Sequence, residues 1–66
     1  MKNKIKIERA IKGLTQEDLA RQVSVSRQTI NAMEANKYVP STVLALKIAR
    51  LFGKSVEEIF LLENSD

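Results

Sequence analysis

Residues that start helices and residues that stop them recur at such short intervals that this chain can fold only as a series of short helices. Thr15, Ser26, Ser41 and Ser55 each precede a stretch of helical apolar periodicity, where a side-chain oxygen can accept from a first-turn backbone N–H. Gly13, Asn36 and Gly53 stand just past such stretches, where a left-handed residue closes the last turn. No segment combines sustained alternation, β-branched enrichment and a hairpin turn, so the fold class is all-α. The spacing predicts five helices, over about residues 4–12, 16–23, 27–35, 42–52 and 56–62, in a single domain spanning 1–66.

Each helix has an inward side. Ile7, Ala10, Ile11 and Leu14 fall at i, i+3, i+4 and i+7, which assigns the first helix its apolar face. Lys2–Ile7 also alternates, and that pattern fits a short N-terminal strand paired with Leu61–Asn64. Thr15 with Asp18, and Ser55 with Glu58, have the spacing of capping boxes. Leu44, Ile48 and Leu51, with Ala45, Ala49 and Phe52 alongside, give the fourth helix a wide stripe at the centre of the expected core.

With 66 residues the core is small, so any functional surface must share its residues with the fold. The absence of cysteine and histidine excludes disulfides, thiolate zinc sites, a thiol nucleophile and an imidazole base. No cofactor, metal or small-molecule ligand is expected, and no set of residues supports an enzyme. The longest apolar runs, Val43–Leu46 and Ile59–Leu62, are too short for a membrane span or a signal peptide, so the expected location is cytoplasmic with no membrane partner. A net charge of +3 and a pI near 9.5 suit a polyanionic partner. Lys2, Lys4, Lys6, Arg9 and Lys12 face only Glu8 at one end, whereas Glu57, Glu58, Glu63 and Asp66 make the other end acidic.

The second and third helices are joined by only about three residues, which is the spacing of a helix-turn-helix. Small Ala20 allows close approach, Leu19 and Ile30 fill the space between the helices, and Val25 anchors the turn. On the third helix Ile30 and Met33 mark the buried side, while Arg27, Gln28 and Asn31 cluster opposite. Arginine can donate twice to guanine, and Gln or Asn can pair bidentately with adenine, so this face can read base edges in a major groove. Ala32 leaves room for a thymine methyl. Gln16, Ser26 and Thr29, near helix starts, suit phosphate, and Lys37 and Tyr38 can clamp the backbone beyond the third helix. Glu17 and Asp18 complement the positive end of their helix.

At this point the chain resembles the phage-repressor and Cro family of helix-turn-helix regulators, the XRE family, over about residues 3–62. The resemblance is carried by LTQEDLA at Leu14–Ala20, VSRQTIN at Val25–Asn31, Glu34, NKY at Asn36–Tyr38, Pro40-Ser41 and LALKIA at Leu44–Ala49. It implies a five-helix, lambda-repressor-like domain that binds operator DNA as a homodimer. It also implies base contacts from Arg27, Gln28, Asn31 and Ala32, phosphate contacts from Gln16, Thr29, Asn36 and Lys37, and a structural ion pair between Arg9 and Glu34. Two positions depart from the family pattern. Ser24 stands where the turn usually has glycine, and Glu8 where the first helix usually has an apolar residue.

Ile59, Phe60, Leu61 and Leu62 are consecutive, so a helix would spread them around most of its circumference, beyond the reach of one small core. A two-fold dimer through this last helix would cover them and set two recognition helices about 34 Å apart, one helical turn of DNA. The expected function is a sequence-specific regulator of transcription, a repressor on a palindromic operator. The alternative is an antitoxin or adaptor whose apolar C-terminal patch binds a different protein.

Overall fold

A computed structural model describes residues 1–66. The elements run β1 (Lys2–Asn3), α1 (Ile5–Lys12), α2 (Gln16–Gln22), α3 (Arg27–Glu34), α4 (Thr42–Phe52), α5 (Val56–Ile59) and β2 (Phe60–Leu61). Thr15, Ser26, Ser41 and Ser55 each accept from the backbone N–H three residues on. The boxes at α2 and α5 are reciprocal, with Asp18 and Glu58 accepting in turn from the N–H of Thr15 and Ser55 at 3.0 Å.

Four helices stop by the same device. Gly13, Ser24, Asn36 and Gly53 take φ of 68°, 61°, 60° and 66°. In each case the next residue donates to the carbonyl five residues back: Leu14 to Arg9, Val25 to Ala20, Lys37 to Ala32 and Lys54 to Ala49. Ser24 thus does at the end of α2 what glycine does at the ends of α1 and α4.

Leu19, Ile30, Met33, Ile48 and Ile59 are fully buried, so every helix from α2 to α5 contributes to one core. The contribution of α1 differs from its apolar periodicity. Ile5 and Glu8 face inward, while Ile7 and Ile11 are 58% and 71% exposed. The helix can turn Ile7 and Ile11 outward because its inward charges are satisfied: Glu8 accepts from Lys54 Nζ at 2.6 Å, and Arg9 pairs with Glu34. No buried side-chain polar atom is left without a partner.

The last helix is shorter than its sequence pattern predicts. It ends at Ile59 rather than near Leu62, because Phe60 is extended (φ −107°, ψ 126°) and begins a strand. β1 and β2 pair antiparallel, Lys2 opposite Leu61 and Asn3 opposite Phe60, and Lys4 N–H donates to the Ile59 carbonyl at 2.8 Å. The pairing is offset from the expected Leu61–Asn64 segment. This change of backbone resolves the four consecutive apolar residues. Ile59 and Phe60 are buried in the chain's own core, Ile59 completely and Phe60 all but an edge, leaving Leu61 at 37% and Leu62 at 83% exposed.

Candidate nucleic-acid interface

The surface of interest is built where α2 and α3 meet. The chain leaves α2 through the left-handed Ser24, turns Val25 partly inward, and re-enters helix after Ser26. The apolar faces of the two helices, Leu19 and Ala20 on one and Ile30 and Met33 on the other, are buried together in the core cluster. Burying Leu19, Ile30 and Met33 stabilises by about 1.5–3 kcal/mol each, so the crossing of the helices is set by the core and does not depend on a ligand.

Core packing on one side of α3 leaves Arg27, Gln28, Asn31 and Ala35 exposed on the other. With about 100° per residue these four share an arc, and Ala35 lies nearer its middle than the half-buried Ala32. The exposed polar side chains carry donors and acceptors suited to base edges. Sequence reasoning named Ala32 for this face and passed over Ala35. Counting residues from Asn31 by one helical turn would have found it.

The flanks are more engaged. Ser26 Oγ accepts from Thr29 N–H at 3.2 Å and lies 3.0 Å from Thr29 Oγ1, which uses one of the two hydroxyl hydrogens and leaves the other able to donate outward. Asn36, Lys37 and Tyr38 are exposed just past α3, and Lys37 N–H is held by the Ala32 carbonyl. Gln16, at the start of α2, is half-buried, and its side chain faces the protein. Its Nε2 donates to Glu34 Oε1 at 3.2 Å and its Oε1 accepts from Asn31 Nδ2 at 3.4 Å.

Behind this surface lies the expected ion pair. Arg9 Nε and Nη2 donate to the two carboxylate oxygens of Glu34 at 2.8 and 3.1 Å, and Nη1 donates to the Leu14 carbonyl at 2.9 Å. The side chains of Arg9 and Glu34 are only 17% and 7% exposed, and the carboxylate holds the guanidinium pKa above its ordinary value. A further tether was not legible in the sequence. Asn3 donates to the Met33 carbonyl at 2.7 Å and accepts from Ile5 N–H at 3.2 Å, fixing β1 against the end of α3.

Asp18 adds a negative charge at the N-terminus of α2, where Thr15 N–H holds its carboxyl below the usual range, and Arg21 pairs with it at 2.8 Å. No helix is long and apolar enough to cross a membrane. No group of acidic side chains is arranged to hold a metal ion.

A family model described as helix-turn-helix matches residues 5–59. An uncharacterised HTH-type transcriptional regulator of Methanocaldococcus jannaschii is 56% identical over 66 residues, covering 100% of both chains. One from Bacillus subtilis is 48% identical over the same 66 residues, again covering 100% of both. Among solved structures, a hypothetical transcription factor from Neisseria superposes with a TM-score of 0.75 at 28% identity. The match covers 82% of this chain and 61% of the Neisseria chain.

Proposed function

Because the chain belongs to the helix-turn-helix family of transcriptional regulators, we propose that it recognises a palindromic operator in double-stranded DNA as a homodimer and represses by occlusion. The observation that carries this reading is the exposed stripe of Arg27, Gln28 and Asn31 on a helix whose opposite side is locked into the core. In the major groove those three side chains specify base pairs, with Ala32 at the edge of the contact. Ser26, Thr29, Asn36, Lys37 and Tyr38 hold the flanking phosphates. Since the Gln16 side chain is turned inward, its phosphate contact falls to the first-turn backbone N–H, which has no partner within the helix. A small dimer that covers a promoter needs no further contact to repress, and its location is the cytoplasm, where the DNA is.

The second copy is assigned to a groove between the start of α4 and the C-terminal strand. Met1, Pro40, Leu46, Val56, Phe60 and Leu62 line it. Beside it Lys47 and Arg50 form a basic margin, while Glu57 lies on its acidic side. Leu46 and Val56 belong to both margins, so a two-fold axis through them brings the basic edge of one copy against the acidic edge of the other. This adds Leu46 and Val56 to the proposed interface, keeps Leu62 and the exposed edge of Phe60, and leaves out Ile59, which is fully buried, and Leu61, which does not line the groove.

Binding of the full chain to cognate and random duplexes across a salt series tests the reading. Arg27→Ala or Gln28→Ala should reduce discrimination at particular base pairs, while Lys37→Ala should weaken binding to all sequences and lower the salt slope by about one. Equal losses on cognate and random DNA for every variant would contradict the assignment. A chain that stays monomeric on operator DNA would favour a different protein as the occupant of the apolar groove.

A further inference from the structure

We propose that Gln16 is a positioning residue for sequence discrimination: it transmits the orientation of the buried Glu34 carboxylate to the amide of Asn31, and so decides which way Asn31 addresses a base. This rests on the DNA-reading role of α3 proposed above. Three hydrogen-bonded links connect the first helix to the reading face, Arg9 to Glu34, Glu34 to Gln16 and Gln16 to Asn31.

Donor and acceptor chemistry gives the chain a single polarity. Glu34 is held by two bonds from Arg9 and its side chain is 7% exposed, so the carboxylate has little freedom to turn away. Ionised, it can only accept, so Gln16 must present its Nε2 to it. That leaves Gln16 Oε1 facing α3, where it accepts from Asn31 Nδ2. Were Asn31 reversed, two carbonyl oxygens would oppose each other. The amide of Asn31 is therefore fixed with one hydrogen spent on Gln16, and with Oδ1 and its second hydrogen left for the groove.

An acceptor beside a donor is the pattern that complements the N6–H and N7 of adenine. An amide free to turn over would present the two groups in either order. The last link, at 3.4 Å, is the longest of the three, and it leaves the amide room to tighten onto a base without breaking the orientation. Gln16 is thus a residue on α2 whose effect is felt at one base pair read by α3.

Duplexes enriched from a random library by the wild-type chain supply the preferred sequence, and a set with single base-pair changes supplies the probe. Kd is measured on this set for wild type, Gln16→Met, Asn31→Ala and the double variant, with helicity by circular dichroism as a check on folding. Gln16→Met preserves chain length and leaves the Arg9–Glu34 pair untouched. It should lower discrimination about tenfold at the base pair sensitive to Asn31→Ala, leave that at the Arg27 position unchanged, and add nothing in the Asn31→Ala background. If Gln16→Met retains full discrimination at the Asn31 position, or loses it equally everywhere, the relay is overturned while the DNA-reading role of α3 stands. If the wild type shows no sequence preference, that role fails, and the relay with it.

Discussion

Ser24 holds a φ of 61° at the end of α2, where its Cβ crowds the following peptide and only the turn geometry keeps it in place. A left-handed residue other than glycine costs about 1–2 kcal/mol, offset in part by the greater chain entropy that glycine would lose on folding. Ser24→Gly should therefore stabilise the domain by about 0.5–1 kcal/mol, read as a rise of several degrees in Tm. A fall in Tm would mean that Ser24 makes a contact worth more than its strain. The opposite behaviour is expected of Arg9. Arg9→Ala leaves Glu34 buried without its main partner, and a loss of about 3 kcal/mol is expected in denaturant unfolding, at the lower end of the range for buried pairs because Arg9 is partly exposed. An unchanged midpoint would show that the pair contributes nothing net.

At the scale of elements, α1 and the C-terminal segment show what the sequence carries and what it conceals. The caps at Thr15, Ser26, Ser41 and Ser55 were legible because capping is local chemistry, decided within one turn. The face of α1 was not, because periodicity counts apolar side chains and cannot see that Lys54 and Glu34 satisfy Glu8 and Arg9 from elsewhere in the fold. Ile5→Ala should thus cost about 2–4 kcal/mol, whereas Ile11→Ala should stay within about 0.5 kcal/mol in the same unfolding experiment; equal costs would put the inward face back on Ile7 and Ile11. The C-terminal strand was expected, but from Leu61 onward and with the helix running to about Leu62, because Ile59–Leu62 suits either structure and only pairing with Lys2–Asn3 fixes where one gives way to the other.

The capping boxes carry a pH dependence. Backbone N–H donors of Thr15 and Ser55 hold the carboxyls of Asp18 and Glu58 below their ordinary values of 3.8 and 4.5. On acidification the unfolded chain takes up these protons before the folded one does. Stability from both boxes is present above that range and is lost as pH falls below about 4.5 and through the lowered folded values. Tm measured from about pH 6 downward should decline in this window, and Asp18→Asn with Glu58→Gln should flatten the decline. A slope unchanged in the double variant would remove the boxes as its source.

At the scale of the whole molecule, the core locks α2 against α3 without any ligand, so the surface proposed to read DNA is formed before DNA arrives. The outward stripe of α3 was legible because its polar residues lie opposite Ile30 and Met33. The involvement of Gln16 with Glu34 and Asn31 was not, since it joins residues 18 and 15 positions apart. The proposed dimer makes its own demand: Leu46→Lys with Leu62→Lys should leave the helical spectrum unchanged but sediment as monomer at a micromolar concentration where the wild type sediments as dimer. A variant that still sediments as a dimer would place the two-fold axis elsewhere.

Selection of bound duplexes from a random library, repeated with Arg27→Ala, bears most directly on the account that α3 reads DNA. Wild type should enrich a dyad-symmetric sequence with half-site centres about 10 base pairs apart, and Arg27→Ala should lose preference at one symmetric pair of positions. No enrichment by the wild type, or the same site enriched by Arg27→Ala, would contradict it.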